Sequence, residues 1–300
     1  MSPIGRWYGL APVAGTVTVA TLWGTSGVLV RYLDLTAAQI ACARASIGAL
    51  ALAAWLLTPF GRASWGRPVG WPALTVSGVL LAVHWWTFIL ALQRIPIGTV
   101  LLGIYLAPLV IAAAARPALG ERVTTRQVVA LGIALAGSVL ILRPQQTGGW
   151  SGATLIGFSA LAYAGSILAS KRALAGTPPL TVTAIQLGLV GVLLAPAALL
   201  DPVALTAGDL FLLGALGVVY SAAAQLVYLW GLRSLSATTS GTLLYLEPVS
   251  ALVAGAVFLA EELTPATVLG AALVIVAGVL VTINTMSARG DQKPVTRRLL

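Results

Sequence analysis

The chain repeats itself at a fixed spacing of 140 residues, and no other property narrows its fold so far. Ile104-Tyr105-Leu106-Ala107-Pro108 returns as Leu244-Tyr245-Leu246-Glu247-Pro248. Leu119-Gly120-Glu121-Arg122-Val123-Thr124 returns as Leu259-Ala260-Glu261-Glu262-Leu263-Thr264. Trp23 to Arg31 aligns with Tyr163 to Lys171, and Leu92 with Leu232, at the same offset. One offset held across most of each half means two copies of one structural unit.

The unit is built for lipid. Residues are 59% hydrophobic and 8% charged, where a soluble domain carries about 25% charged residues. Mean hydropathy is +0.98. A duplicated unit in so apolar a chain points to a transporter. Cys42 is alone and His84 is alone, which excludes a disulfide framework, a cysteine cluster and a histidine metal site. No metal, cofactor or catalytic group is expected, and the chain does not read as an enzyme.

A helix that crosses the bilayer needs about 20 apolar residues. Ten runs qualify, at 9–30, 36–58, 71–92, 96–115, 125–142, 151–170, 180–200, 209–230, 237–259 and 265–285. The expected organisation is a short N-terminal segment 1–8, a first repeat 9–142, a linker 143–150, a second repeat 151–285 and a basic tail 286–300. Strands are excluded because open sheet edges cannot face lipid. The first run resembles a signal peptide in length, but its repeat mate at 151–170 is internal.

Charge orients the bundle. With the N-terminus cytoplasmic, inside segments carry thirteen Lys and Arg, and outside segments carry three, Arg31, Arg94 and Arg143. That is a positive-inside pattern with both termini in the cytoplasm, at the cytoplasmic (inner) membrane. It accounts for the net charge of +9 without nucleic acid, which requires a concentrated basic surface. The basic tail Arg289 to Arg298 instead suits anionic lipid headgroups. Five helices per repeat is an odd number, so the second copy enters the membrane from the opposite side. Inverted repeats exchange conformations, which is a route to alternating access with the solute near the midplane.

The Trp23-Gly24-Thr25-Ser26 stretch, Arg44 early in the second span, and the paired Tyr-Leu-x-Pro motifs each followed by Gly/Ala-Glu-x-x-Thr resemble the EamA branch of the drug/metabolite transporter superfamily. The resemblance covers residues 10–285. It implies an all-α integral membrane fold of ten transmembrane helices in two inverted five-helix repeats. It also implies small-solute transport, often export. Gly103-Ile104-Tyr105-Leu106-Ala107-Pro108 departs from the Asn-Tyr-x-Trp-Pro motif of the superfamily's aromatic amino-acid exporters.

Ionisable residues within spans are the first site candidates, because charge there is costly and usually has a task. There are three: Arg44, His84 and Glu247. Each lies about 12–18 Å from the nearer end of its span, at about 1.5 Å per residue. Glu247 has Ala107 as its mate, so it is an asymmetric carboxylate. It either holds a cation, amine or proton, or it bonds groups freed by Pro248 or pairs with Arg44. Arg44 either neutralises Glu247 or grips a substrate carboxylate through its planar fork, or it snorkels outward. Arg44 and Glu247 together suit the two ends of an amino acid. His84 is a proton acceptor for coupling or a neutral hydrogen-bonding residue. Trp85 and Trp86 either stack on a solute or pack against lipid; neighbouring helix positions diverge, so at most one or two of His84, Trp85 and Trp86 face one cavity. Pro108 and Pro248 interrupt equivalent spans, and paired interruptions point to a transport site. Tyr105 and Tyr245 lie about one turn earlier. Glu121 and Glu261 suit helix N-termini beside Thr124 and Thr264.

Two other classes compete. Gly24-Thr25-Ser26-Gly27 has the GxSG form of rhomboid-like intramembrane serine proteases, with His84 as the base. A passive channel, facilitator or lipid scramblase fits the hydropathy equally, but it predicts flux that does not saturate. No GxxxxGK[ST] loop is present, so direct ATP drive is not expected. The expected partners are a small-molecule substrate, membrane lipids and, for coupling through Glu247 or His84, protons.

Overall fold

The structure, a computed structural model, describes residues 3–95, 97–142, 149–200, 203–259 and 263–290. Residues 143–148 of the expected linker, Glu261, Glu262 and the tail from residue 291 lie outside the described residues, and the linker's last two residues, Gly149 and Trp150, already belong to a helix. All regular structure described is helical. Nine described segments are long and apolar enough to cross a membrane.

The first half comprises α1 (Pro3–Arg31), α2 (Ala37–Trp55), the short α3 (Pro59–Ser64), α4 (Trp71–Arg94), α5 (Ile97–Ile104), α6 (Ala107–Leu119) and α7 (Thr125–Leu142). The second comprises α8 (Gly149–Ala173), α9 (Pro179–Leu199), α10 (Ala207–Ala215), α11 (Ala224–Ser234), α12 (Ala237–Leu243), α13 (Leu246–Leu259) and α14 (Pro265–Gly290). A π-helical segment, Leu216–Ala223, joins α10 to α11. Helix α1 begins at Pro3, ahead of the apolar run expected from residue 9. Proline fits a first helical turn, where its missing N–H costs nothing.

Local chemistry sets the boundaries. Thr36 starts α2 with a capping box completed by Gln39, and Thr206 starts α10 with one completed by Asp209. Both satisfy donors the helix leaves orphaned. Helix α6 ends at Gly120, whose φ of 70° falls in the left-handed region that a side chain disfavours.

Proline locates two helix breaks. Helices α5 and α6 are separated by a turn at Tyr105-Leu106, and α12 and α13 by one at Leu244-Tyr245. Proline denies a hydrogen bond to the carbonyl four residues back. For Pro108 that carbonyl is Ile104, and for Pro248 it is Leu244. The helices therefore open upstream of the prolines. Each proline sits in the first turn of the helix that follows, where it is tolerated.

The outer surface is apolar. Phe158, Val192, Phe211 and Val257 are among its most exposed residues. Buried positions include many small and hydroxylated residues, such as Ser77, Ser138, Ser159, Ser166 and Ser170. That distribution suits a lipid solvent, where helices associate through close packing rather than a hydrophobic drive. At Gly137 on α7 and Gly270 on α14, a Cβ on either would meet the other's carbonyl oxygen at 2.6 and 2.5 Å. Helix α4 packs on α8, α2 on α9, and α1 on both α11 and α13. A cavity remains where these pairs meet.

Candidate functional site

The cavity is open, with about 790 Å³ of free space, mouth included, and Arg44, His84, Tyr105, Pro108 and Glu247 in its walls. Trp23, Trp85, Phe88 and Tyr163 supply aromatic surface. Three wall pairs are repeat mates 140 positions apart: Trp23 with Tyr163, Trp85 with Gln225, and Ile104 with Leu244. Arg44, His84 and Glu247 have no charged mate, since their counterparts are Ala184, Ala224 and Ala107.

Arg44 is held on two sides. Its Nε donates to Ser221 Oγ at 2.9 Å, and its guanidinium lies 4.3 Å from the centre of the Trp85 ring. Stacking on an indole face is a favourable setting for this cation. Ser221 donates in turn to the Leu216 carbonyl five residues back, at 2.8 Å, the spacing of a π turn. The π segment also receives Trp23, whose Nε1 donates to the Tyr220 carbonyl at 2.9 Å. Two wall residues from the first repeat are thus fixed on one irregular stretch of the second.

Glu247 stands in the first turn of α13. Among the described residues no ion pair joins it to Arg44, although both line the cavity. Its backbone is pressed against α1: a Cβ on Gly24 would overlap the Glu247 carbonyl oxygen and the Ser250 hydroxyl. Ser250 Oγ donates to that carbonyl at 2.9 Å. Gly24 is therefore what lets α1 approach and aim α13.

His84 is 6% exposed. Its Nδ1 is 3.0 Å from Ser159 Oγ, and its ring lies between Phe88 and Tyr163, with centroids at 5.5 and 4.5 Å. Ser26 Oγ donates to the Trp23 carbonyl at 2.6 Å. Its repeat mate Ser166 makes the same bond to Tyr163 at 2.9 Å. Among the described residues no hydrogen bond joins Ser26 to His84.

The two central tyrosines divide the work. Tyr245 stacks on Tyr105 with centroids 5.2 Å apart, and its hydroxyl donates to the Tyr105 carbonyl. That carbonyl belongs to the turn between α5 and α6, so Tyr245 caps the broken helix of the other repeat. The Tyr105 hydroxyl bonds no backbone group and faces the Glu247 carboxyl in the same cavity.

Three expected site residues stand elsewhere. Trp86 is 43% exposed on the outer surface, because successive helix residues turn by about 100° and Trp85 takes the inward position. Tyr245 is consumed by its stack on Tyr105, and Pro248 is buried behind the wall. Glu121 serves a helix N-terminus, but not that of α7: its carboxylate accepts from the Ala237 N–H of α12 at 2.8 Å. Sequence reasoning did not select Trp23, Tyr163 or Gln225 for the cavity. The repeat offset already paired Trp23 with Tyr163 and was the available signal.

The model of the EamA-like transporter family matches the chain twice, at residues 11–143 and 150–283. An uncharacterized transporter of Archaeoglobus fulgidus is 29% identical over 275 residues, spanning 89% of this chain and 94% of its own. The uncharacterized transporter YwfM of Bacillus subtilis is 27% identical over 272 residues, spanning 87% of this chain and 90% of its own. A protein crystal structure shares the fold with a TM-score of 0.80 at 21% identity, covering 91% of this chain and 98% of that one.

Proposed function

The chain belongs to the EamA-like transporter family, and from that premise we propose that it is a secondary active transporter of a small zwitterionic metabolite such as an amino acid. One observation carries the substrate class. Arg44 and Glu247 present opposite charges to one cavity without pairing with each other. A guanidinium fork suits a carboxylate, a carboxylate suits an ammonium, and Trp23, Trp85 and Tyr163 offer surface for the body between them.

The mechanism proposed is alternating access in a bundle of ten spans, formed by two inverted five-helix repeats. Helices α12 and α13 together serve as the ninth span. The helix pairing supports the symmetry: α4 against α8 has its counterpart 140 residues on in α11 against α1, while α2 with α9 and α7 with α14 pair mates with each other. Positive-inside bias favours a cytoplasmic-membrane protein with both termini inside. Export is the direction favoured by family resemblance. Coupling to protons is assigned to Glu247 before His84, because His84 is packed between two rings and engaged with Ser159.

The test is a melting-temperature panel of amino acids, nucleobases, sugars and organic cations on purified protein. A ligand bound only to the folded state raises the midpoint with concentration. The expected result is a shift from zwitterions, lost in Glu247→Gln. A shift from neutral sugars or nucleobases alone would remove the assigned substrate class.

A further inference from the structure

Below the cavity floor, the side of the molecule nearest Lys171 is packed shut. In α8, six of the nine residues 162–170 are buried; in the repeat-equivalent stretch 22–30 of α1, none is. Helix α12 fills the space on that side, and every one of its seven residues is buried. Leu244, which follows α12, lines the cavity. One turn earlier on the same helical face stands Ser240, and one turn before that Ala237.

Ser240 is wholly buried and its hydroxyl has no partner, as is also true of Thr238 on another face of the helix; an unsatisfied hydroxyl disfavours this packed state relative to one in which water reaches it. Its repeat mate is Val100, so no symmetry of sequence demands a hydroxyl there. The Ala237 N–H is held by Glu121, and Glu121 is paired with Lys171 at 3.7 Å. Lys171 Nζ also donates to the carbonyls of Leu232 and Leu235 at 2.7 and 2.5 Å. One cluster thus ties the loop after α6, the end of α8, the end of α11 and the start of α12.

We propose that the face Leu244–Ser240–Ala237 is the closed half of the transport path, that Ser240 lines it when it opens, and that the Glu121–Lys171 cluster is its latch. This rests on the transporter reading of the central cavity. Opening requires α12 to part from α8 and α6, which the latch opposes at the mouth. Thr239 lies on another face, bonded to Gln127 at 3.2 Å, and does not line the path.

The experiment uses the full chain in sealed membrane vesicles of known orientation, with Cys42→Ala removing the native thiol. S240C and T239C are each labelled with a membrane-impermeant maleimide, with and without Glu121→Gln, and amino-acid flux is recorded in parallel. The expected result is labelling at position 240 from the Lys171 side only. Breaking the latch should speed it about tenfold or more, as expected when a charge-assisted hydrogen bond is lost, while position 239 stays protected. Equal labelling of both positions means that the region melts rather than opens, and overturns the proposal. So does an unchanged rate at position 240 in a variant that still carries flux, which leaves the transporter reading standing. Faster labelling at position 240 without flux of any amino acid would instead keep the path and remove the substrate reading.

Discussion

Arg44 and Glu247 line the same cavity and are not joined by an ion pair, while Arg44 is held by Ser221 and Trp85. The bond uses Arg44 Nε and the stack uses the face of its guanidinium. A fixed internal pair would have neutralised both charges and left the cavity little to offer a solute. The two charges should therefore act on separate ends of the ligand. Glu247→Gln is expected to weaken binding of a zwitterion about tenfold or more, the range for losing a hydrogen bond to a charged group. Arg44→Gln should do the same, yet leave an amine lacking the carboxylate unaffected. Arg44→Lys should fail to restore carboxylate binding, because an ammonium has neither the fork nor the flat face that meets Trp85. Binding of zwitterion, amine and acid to each variant checks all three outcomes.

The pH dependence of transport separates Glu247 from His84. With protons entering as solute leaves, acidifying the outer side should speed outward flux. Glu247→Gln, which cannot carry a proton, should give a flat profile. His84→Gln should keep the slope but lower the melting temperature, since it removes a ring packed on Phe88 and Tyr163. A flat profile in His84→Gln with a sloping one in Glu247→Gln would reverse the assignment.

Tyr105 and Tyr245 are repeat mates that should respond in different ways. The Tyr245 hydroxyl supports a backbone carbonyl at a helix break, so Tyr245→Phe should lose about 0.5–1.5 kcal/mol of stability, the usual net value of one hydrogen bond. The Tyr105 hydroxyl supports no backbone carbonyl and instead faces the Glu247 carboxyl in the cavity. Tyr105→Phe should therefore cost less stability than Tyr245→Phe and act chiefly on ligand affinity. Melting curves of the two variants with and without ligand make the comparison.

Much of this was legible in the chain, and the reasons differ by feature. Span positions follow from runs of apolar residues, because a membrane leaves a helix few alternatives. The 140-residue offset identified Trp23 and Tyr163 as equivalents, but equivalence carries no information about which way either side chain points. Trp86 shows the same gap. When every face of a helix is apolar, its sequence has no phase, and Trp85 cannot be told from its neighbour. Pro108 and Pro248 announced two helix breaks, and each break lies upstream because the proline lacks the N–H that would bond the carbonyl four residues back. The π segment left no trace: Leu-Gly-Val-Val-Tyr-Ser-Ala-Ala reads as ordinary helix. Ser159 and Ser221 were likewise hidden among hydroxyls that a membrane helix uses for packing.

Gly24 offers the sharpest test of how the site is held. The motif Trp23-Gly24-Thr25-Ser26 contains one helical glycine, and Gly27 follows one residue after it. Helix propensity alone favours replacing either with alanine, by about 0.5–1 kcal/mol. At Gly27 nothing lies within 4 Å of an added Cβ, so Gly27→Ala should raise stability by that amount. At Gly24 the Cβ would overlap the Glu247 carbonyl and the Ser250 hydroxyl. The backbone of α13 cannot yield without shifting the carboxylate it carries. Gly24→Ala should therefore cost about 1–3 kcal/mol, the range for overpacking, and weaken amine binding along with stability. Gly24→Ala and Gly27→Ala with equal melting temperatures and equal affinities would mean that α1 does not position Glu247.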